Sequence, residues 1–244
     1  MSDAIKDKVA LVTGANRGIG KAIVDSLIEN GATKVYLAVR NPESTKEIEA
    51  QYGDKVVTLA ADVADTASIQ RLATQASDVD ILVNNAGIMH VTSPLGENAE
   101  ESLMEQININ VFGLMRVANA FAETLERNKG VLVQLNSIAS IKAFGDIATY
   151  CASKAAAYSI TQGLKDKWAD KGIRVLSVHP GPIGTEMGDS AGFEGAPDAT
   201  VVSEAIITAL NNGDFHSFPD PVAKQLEAAY QSYSDAIITS DLSL

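Results

Sequence analysis

Short apolar runs alternate with amphipathic stretches along most of this 244-residue chain, and the first such pair sets the terms for the rest. Lys8 to Thr13 reads Lys-Val-Ala-Leu-Val-Thr, a run of the length and character of a strand buried on both faces. It leads into Gly14-Ala15-Asn16-Arg17-Gly18-Ile19-Gly20, after which Ile19, Ile23, Leu27 and Ile28 recur on one helical face until Gly31 stops the pattern. A strand, a glycine-rich turn and a helix in that order make the setting in which backbone N–H groups can cradle a pyrophosphate, because glycines permit close approach and a helix N-terminus carries partial positive charge. The spacing here is Gly-x-x-x-Gly-x-Gly rather than Gly-x-Gly-x-x-Gly.

The alternation continues. Strands are expected over 35–39, 56–60, 81–83, 131–135 and 173–178, and helices over 66–77 (with Asp65 as cap), 100–127, 148–171 and 201–210. Such a pattern predicts an α/β fold, a doubly wound parallel sheet with helices on both faces, joined by right-handed crossovers in a single domain spanning 1–244. Residues 188–197, rich in glycine, read as a loop, and a substrate loop is expected at about 186–200. A short edge strand is expected at 215–218, ended by Pro219, and a last helix at about 223–236.

Composition narrows the class. Hydrophobic content of 46% supports a sizeable core, and a net charge of −12 argues against nucleic acid and anionic membrane partners. The single cysteine, Cys151, excludes an internal disulfide and is expected to pack rather than react. Nothing reads as a signal peptide or an 18-residue apolar span, so a cytoplasmic location is expected. No metal site is expected.

The most informative pair is Tyr150 and Lys154. Four residues apart on a helix, they share a face. A neighbouring ammonium favours the phenolate, so the pair predicts a phenol whose pKa is drawn down toward working pH. Alone, the spacing fits any amphipathic surface helix equally well. Other segments decide the matter.

Thr13 to Gly20, Asn84-Asn85-Ala86-Gly87, Asn110, Ser137, the Tyr150-x-x-x-Lys154 pair, and Pro180-Gly181 followed by Thr185 appear in the order and near the spacings of the short-chain dehydrogenases/reductases, which this chain resembles over about residues 8 to 187. The resemblance implies a Rossmann-like fold and hydride transfer between a nicotinamide cofactor and a carbonyl or alcohol. It implies Tyr150 as general acid and base, Lys154 as the group that tunes it and binds the nicotinamide ribose, Ser137 as the hydroxyl that holds the substrate oxygen, and Asn110 as holder of a water on the proton path. Ser140 is the rival hydroxyl, but the 13-residue separation of Ser137 from Tyr150 fits the family. For Asn110 alone, a side-chain cap within its own helix is the plain alternative.

The same resemblance gives the cofactor set: Gly14, Asn16, Arg17, Gly18, Ile19, Gly20, Arg40, Asp62, Val63, Asn84, Ala86, Gly87, Pro180, Gly181, Ile183 and Thr185, together with Tyr150 and Lys154. At the end of the second strand, Leu37-Ala38-Val39-Arg40-Asn41 has no carboxylate to bind ribose hydroxyls. Arg40, with Arg17 in the glycine turn, could grip a 2′-phosphate instead, so NADP is expected over NAD. His90, Phe144, Pro182, Met187 and Phe193 are the expected substrate pocket, a mostly apolar set suited to small or medium uncharged carbonyl compounds. Within the family, a 3-oxoacyl reductase or a sugar or steroid dehydrogenase stays open. Outside enzymes, a dinucleotide-binding regulator without turnover stays open too. Many family members end in a glycine-rich seventh strand that builds a tetramer. This chain has none, so a homodimer through the helices at 100–127 and 149–170 is expected and the tetramer is left open.

Overall fold

The computed structural model describes residues 4–240. Seven parallel strands form one sheet in the order β3-β2-β1-β4-β5-β6-β7: β1 (Val9–Thr13), β2 (Lys34–Val39), β3 (Val56–Ala60), β4 (Ile81–Asn84), β5 (Val131–Leu135), β6 (Arg174–Val178) and β7 (His216–Ser217). The expected Rossmann-like doubly wound sheet is therefore present. The direction of winding reverses between β1 and β4, where Ala10 pairs with Ile81 and Val12 with Val83.

Successive strand residues point to opposite faces, and both faces are covered. Val12, Val83 and Val133 join one core cluster with Ile23 and Leu27 of α1 (Gly18–Glu29) and Ile206 of α8 (Thr200–Asn212). Their neighbours Leu11, Leu82 and Leu132 join the other. It is built with Ile69 and Leu72 of α3 (Thr66–Gln75), Phe121 and Leu125 of α5 (Gly113–Asn128) and Ala157 of α6 (Ala148–Trp168). β1, β4 and β5 thus bury adjacent apolar residues in two separate cores, which is why their runs are continuous rather than alternating.

Three features depart from the sequence reading. A helix α2 (Lys46–Tyr52) was not expected; it buries Ile48 alone, too little for a periodic signal. The helix expected over 100–127 divides into α4 (Ala99–Gln106), a π-helical turn at Ile107–Phe112 and α5. Arg116 supports that turn by donating to the backbone oxygens of Asn108 (3.1 Å) and Val63 (3.0 Å). The loop expected at 188–197 begins inside α7 (Glu186–Ser190), whose Gly188 N–H is capped by Thr185 Oγ1 at 3.1 Å. The edge strand is present but short, and α9 (Pro221–Tyr233) follows it. Cys151 is buried and accepts the Phe144 N–H at 3.3 Å, so it packs as expected.

Candidate active site

A cleft of about 1180 Å³ opens beyond the C-terminal ends of the central strands, where open parallel sheets gather ligands at the reversal of strand order. Its floor at one end is the glycine turn. Gly20 packs so tightly that a Cβ there would lie 2.1 Å from the Gly14 carbonyl oxygen. Arg17 precedes α1 with extended backbone and no side chain caps the helix, so its first N–H groups face the cleft unclaimed by other side chains. Thr13 Oγ1 accepts from the Asn85 and Ala86 N–H groups, both at 3.0 Å, and Asn85 Nδ2 returns a bond to the Thr13 oxygen at 2.9 Å. These contacts fasten the segment after β4 to the turn after β1.

Asn85, which the motif reading passed over, therefore lines the cleft with Ala86 and Gly87. Asn84 does not. Its side chain is buried and donates to Gln134 Oε1 at 2.7 Å, because successive residues at the end of a strand face opposite ways. Asp62 and Val63 line the far end, and Asp62 Oδ1 accepts from the Ala64 N–H at 2.9 Å. Arg40 lies exposed on the rim with no hydrogen bond or ion pair among the described residues, beside Asn41 and Ser44. Arg17 instead forms an ion pair with Glu186 of α7. An anion arriving between the two arginines would compete with that carboxylate.

At the other end of the cleft, Ser137, Tyr150 and Lys154 converge. Tyr150 and Lys154 occupy the first turns of α6, on one face, with the ammonium 5.7 Å from the phenol ring centre. Lys154 Nζ donates to the Leu135 oxygen at the end of β5, at 2.8 Å. Ser137 Oγ donates to the Pro180 oxygen at 3.2 Å and accepts from the Ala139 N–H at 3.1 Å. Ser140 Oγ is turned back onto the Ser137 oxygen at 2.5 Å and does not line the cleft. Geometry thus separates the two rival hydroxyls.

The expected pKa relation is reversed. Burial raises the Tyr150 phenol above its ordinary value; a hydrogen bond with Ser137 opposes this, and Cys151 adds to it. Burial lowers Lys154 to about 8. Desolvation outweighs the ammonium's pull because both groups are enclosed. The Tyr150 phenol accordingly keeps its proton near neutrality. Asn110 holds the loop after β4 in place. It sits in the π-helical turn, buried, and its amide clamps Ile88 by both backbone groups at 2.9 Å while giving its second proton to Ser153 Oγ at 2.9 Å. Both amide protons are taken by protein groups, so the side chain fixes the loop after β4 rather than donating to a water.

The sequence profile described as short chain dehydrogenase matches residues 8–193. The chain belongs to the short-chain dehydrogenase family. An uncharacterized oxidoreductase of Staphylococcus saprophyticus is 34% identical over 217 residues, 84% of this chain and 92% of that one. A short chain dehydrogenase from Burkholderia cenocepacia solved in complex with NADP superposes with a TM-score of 0.87 at 31% identity, covering 97% of this chain and 99% of that one. A relative from Burkholderia phymatum, solved in complex with NAD, superposes with a TM-score of 0.84 at 22% identity over 100% of both chains.

Pro180, Gly181, Ile183 and Thr185 form the wall opposite the glycine turn, and Thr185 approaches Gly18. Of the expected substrate residues, Phe144, Pro182, Met187 and Phe193 line the cleft. His90 does not: its Nε2 faces Glu105 Oε2 at 3.0 Å, while its neighbours Met89 and Val91 face inward. Lys142, unmarked by any motif, also lines this end.

Behind Ser137 lies a buried histidine that no motif marks. Thr161 Oγ1 donates to the Ala157 oxygen (2.7 Å), so it accepts from Asn136 Nδ2 (3.2 Å). The other Asn136 amide proton goes to Ser177 Oγ (2.8 Å), which gives its own to His179 Nε2 (2.8 Å). That leaves the His179 proton on Nδ1, facing the Ser137 oxygen at 3.2 Å. Burial, with His216 adding, holds His179 down to about 3, and burial holds His216 down to about 4. Both are neutral in the fold. Their contribution to stability is whole above the ordinary value of 6.5 and is lost as pH falls from there toward 4 and then 3. Urea midpoints are expected to fall across that window, with His179 accounting for a few kcal/mol at about 1.4 per pKa unit. A His179→Asn variant is expected to flatten the decline, and an unchanged slope would show that His179 is not buried neutral.

Proposed function

We propose that the protein is an NADP-dependent oxidoreductase that interconverts a ketone or aldehyde and an alcohol, working as a carbonyl reductase in one direction and an alcohol dehydrogenase in the other. The observation that carries this reading is the meeting of Ser137, Tyr150 and Lys154 at one end of a cleft whose other end is a glycine turn under an uncapped helix N-terminus. The turn fits a pyrophosphate, and Arg40 and Arg17 fit a 2′-phosphate where a carboxylate would otherwise select NAD. The Burkholderia cenocepacia relative was solved with NADP and the Burkholderia phymatum structure with NAD, so the choice of NADP rests on the two arginines.

When bound, the nicotinamide supplies or accepts the hydride. Tyr150, protonated in the enclosed site, gives its proton to the carbonyl oxygen as the alcohol forms and recovers it in the reverse direction. Ser137 exchanges the Pro180 oxygen for the substrate oxygen and steadies its developing charge. Lys154, anchored on Leu135, holds positive charge beside the phenolate that forms. Phe144, Pro182, Met187 and Phe193 offer an apolar seat for the body of the substrate and help exclude water. Exposed Met104, Phe112 and Met115, on α4, the π-helical turn and α5, support a homodimer through those helices. No helix among the described residues is long and apolar enough to cross a membrane.

Loss of nicotinamide absorbance with NADPH and with NADH, across ketones, aldehydes and 3-oxoesters, tests the reading. Turnover favouring NADPH is expected. Arg40→Glu is expected to weaken NADPH by about tenfold or more while sparing NADH, since one phosphate contact to arginine is worth about 1.5–3 kcal/mol. Equal losses for the two cofactors would remove the charge argument. NADPH binding without turnover on any substrate would favour a dinucleotide-binding regulator.

A further inference from the structure

We infer that Asp220 is a positioning residue that acts on Ser137 through a single peptide unit, the one joining Pro180 to Gly181. The inference rests on the reading of Ser137 as the hydroxyl that meets the substrate oxygen. The carbonyl of that unit accepts from Ser137 Oγ at 3.2 Å and from the Ile138 N–H at 3.0 Å. Its N–H, on the opposite edge of the planar unit, donates to Asp220 Oδ2 at 2.6 Å. The peptide is therefore pinned on both edges and cannot rotate without breaking one bond or the other. The resting position of Ser137 Oγ, from which it turns to the substrate oxygen, is thus set by a side chain that does not line the cleft.

Asp220 is built for this place. It is fully buried, and its second oxygen accepts from the Val222 and Ala223 N–H groups at 3.1 and 3.0 Å, capping α9, with Pro221 at the first helical position. The pairing of β7 with β6 brings it there. Ser177 donates to the Phe215 oxygen and His179 to the Ser217 oxygen, so the chain just beyond β7 lies beside the chain just beyond β6. Gly181 completes the fit, since a Cβ at that residue would stand 2.6 Å from Asp220 Oδ1. The short strand and last helix are by this account part of what positions the reacting groups.

Asp220→Ser separates the two duties of the carboxylate. Serine is an equally good N-cap, but its one oxygen, engaged by α9, leaves the Gly181 N–H without an acceptor. The expected result is a folded enzyme whose melting temperature falls by only the few degrees that one unsatisfied donor costs, and an NADPH Kd within about threefold, with kcat lower by about tenfold or more, the equivalent of one lost hydrogen bond. The Gly181 amide, followed by NMR, is expected to exchange at least about tenfold faster, again the loss of one bond. A folded Asp220→Ser enzyme with parental kcat would overturn the inference. So would unchanged Gly181 exchange, or an NADPH affinity that falls as far as kcat. If the parent enzyme turns over nothing, the proposed activity is at fault, and the exchange measurement still decides whether the clamp exists. Should the serine variant fail to fold, Asp220→Asn, which keeps the size and one acceptor, is expected to give the same split.

Discussion

Tyr150→Phe is expected to lower turnover by two to four orders of magnitude, about the range that a positioned general acid contributes, while the NADPH Kd stays near that of the parent enzyme. The phenol is buried and protonated, so removing its oxygen leaves an apolar ring in an apolar wall and the fold is expected to stand. Ser137 would remain to hold the substrate oxygen, but nothing would protonate it. Stopped-flow or steady-state reduction of the best substrate from the panel, alongside fluorescence titration with NADPH, checks both halves. Turnover at the parental rate would remove Tyr150 from the mechanism. Loss of NADPH binding together with turnover would make the ring a binding element instead.

Gly20→Ala is expected to damage the opposite end of the cleft. The added methyl would meet the Gly14 carbonyl oxygen at 2.1 Å and Asn85 Nδ2 at 2.7 Å. The first of these is backbone, so the glycine turn itself must move. Overpacking of this kind costs about 1–3 kcal/mol, and the displaced turn is the surface that would carry a pyrophosphate. A lower urea midpoint is expected, with an NADPH affinity reduced by more than about tenfold, since the N–H groups of the turn no longer converge. Equilibrium unfolding and a binding titration measure the two effects separately. An unchanged NADPH affinity would mean that the turn does not cradle the cofactor.

The sheet was legible because its strands bury neighbouring residues in two cores, as Leu11 and Val12 do, and so leave unbroken apolar runs. Helices with a full apolar stripe were equally plain. Helix α2 was not, since one buried isoleucine makes no stripe. The π-helical turn at Ile107–Phe112 was hidden because one extra residue in a turn shifts the apolar period without removing it. Within the site, motifs named the segments but not the facing of individual side chains. Asn84 and Asn85 are adjacent and alike, and His90 lies between two residues that face inward. Only the local backbone direction decides such cases. The pKa order of Tyr150 and Lys154 depended on how deeply both are enclosed, which spacing does not reveal. Asp220 contacts a residue 39 positions away. Its one local trace was an acidic residue before a proline, an ordinary way to begin a helix.

The strand order also governs how such a chain matures as it leaves the ribosome. β1 is central, but one of its two neighbours is β4, so the nucleotide half cannot close until synthesis has passed Asn84. Pairings this far apart in sequence form slowly, and domains fold as their segments emerge. Ser137, Tyr150 and Lys154 come next, and Asp220 is the last of the named groups to be made. A translation product interrupted between Gly181 and Asp220 would carry the glycine turn with Ser137, Tyr150 and Lys154, while the Pro180–Gly181 peptide lacked its Asp220 partner. Competence for the proposed chemistry would then arrive later than the means of gripping a dinucleotide.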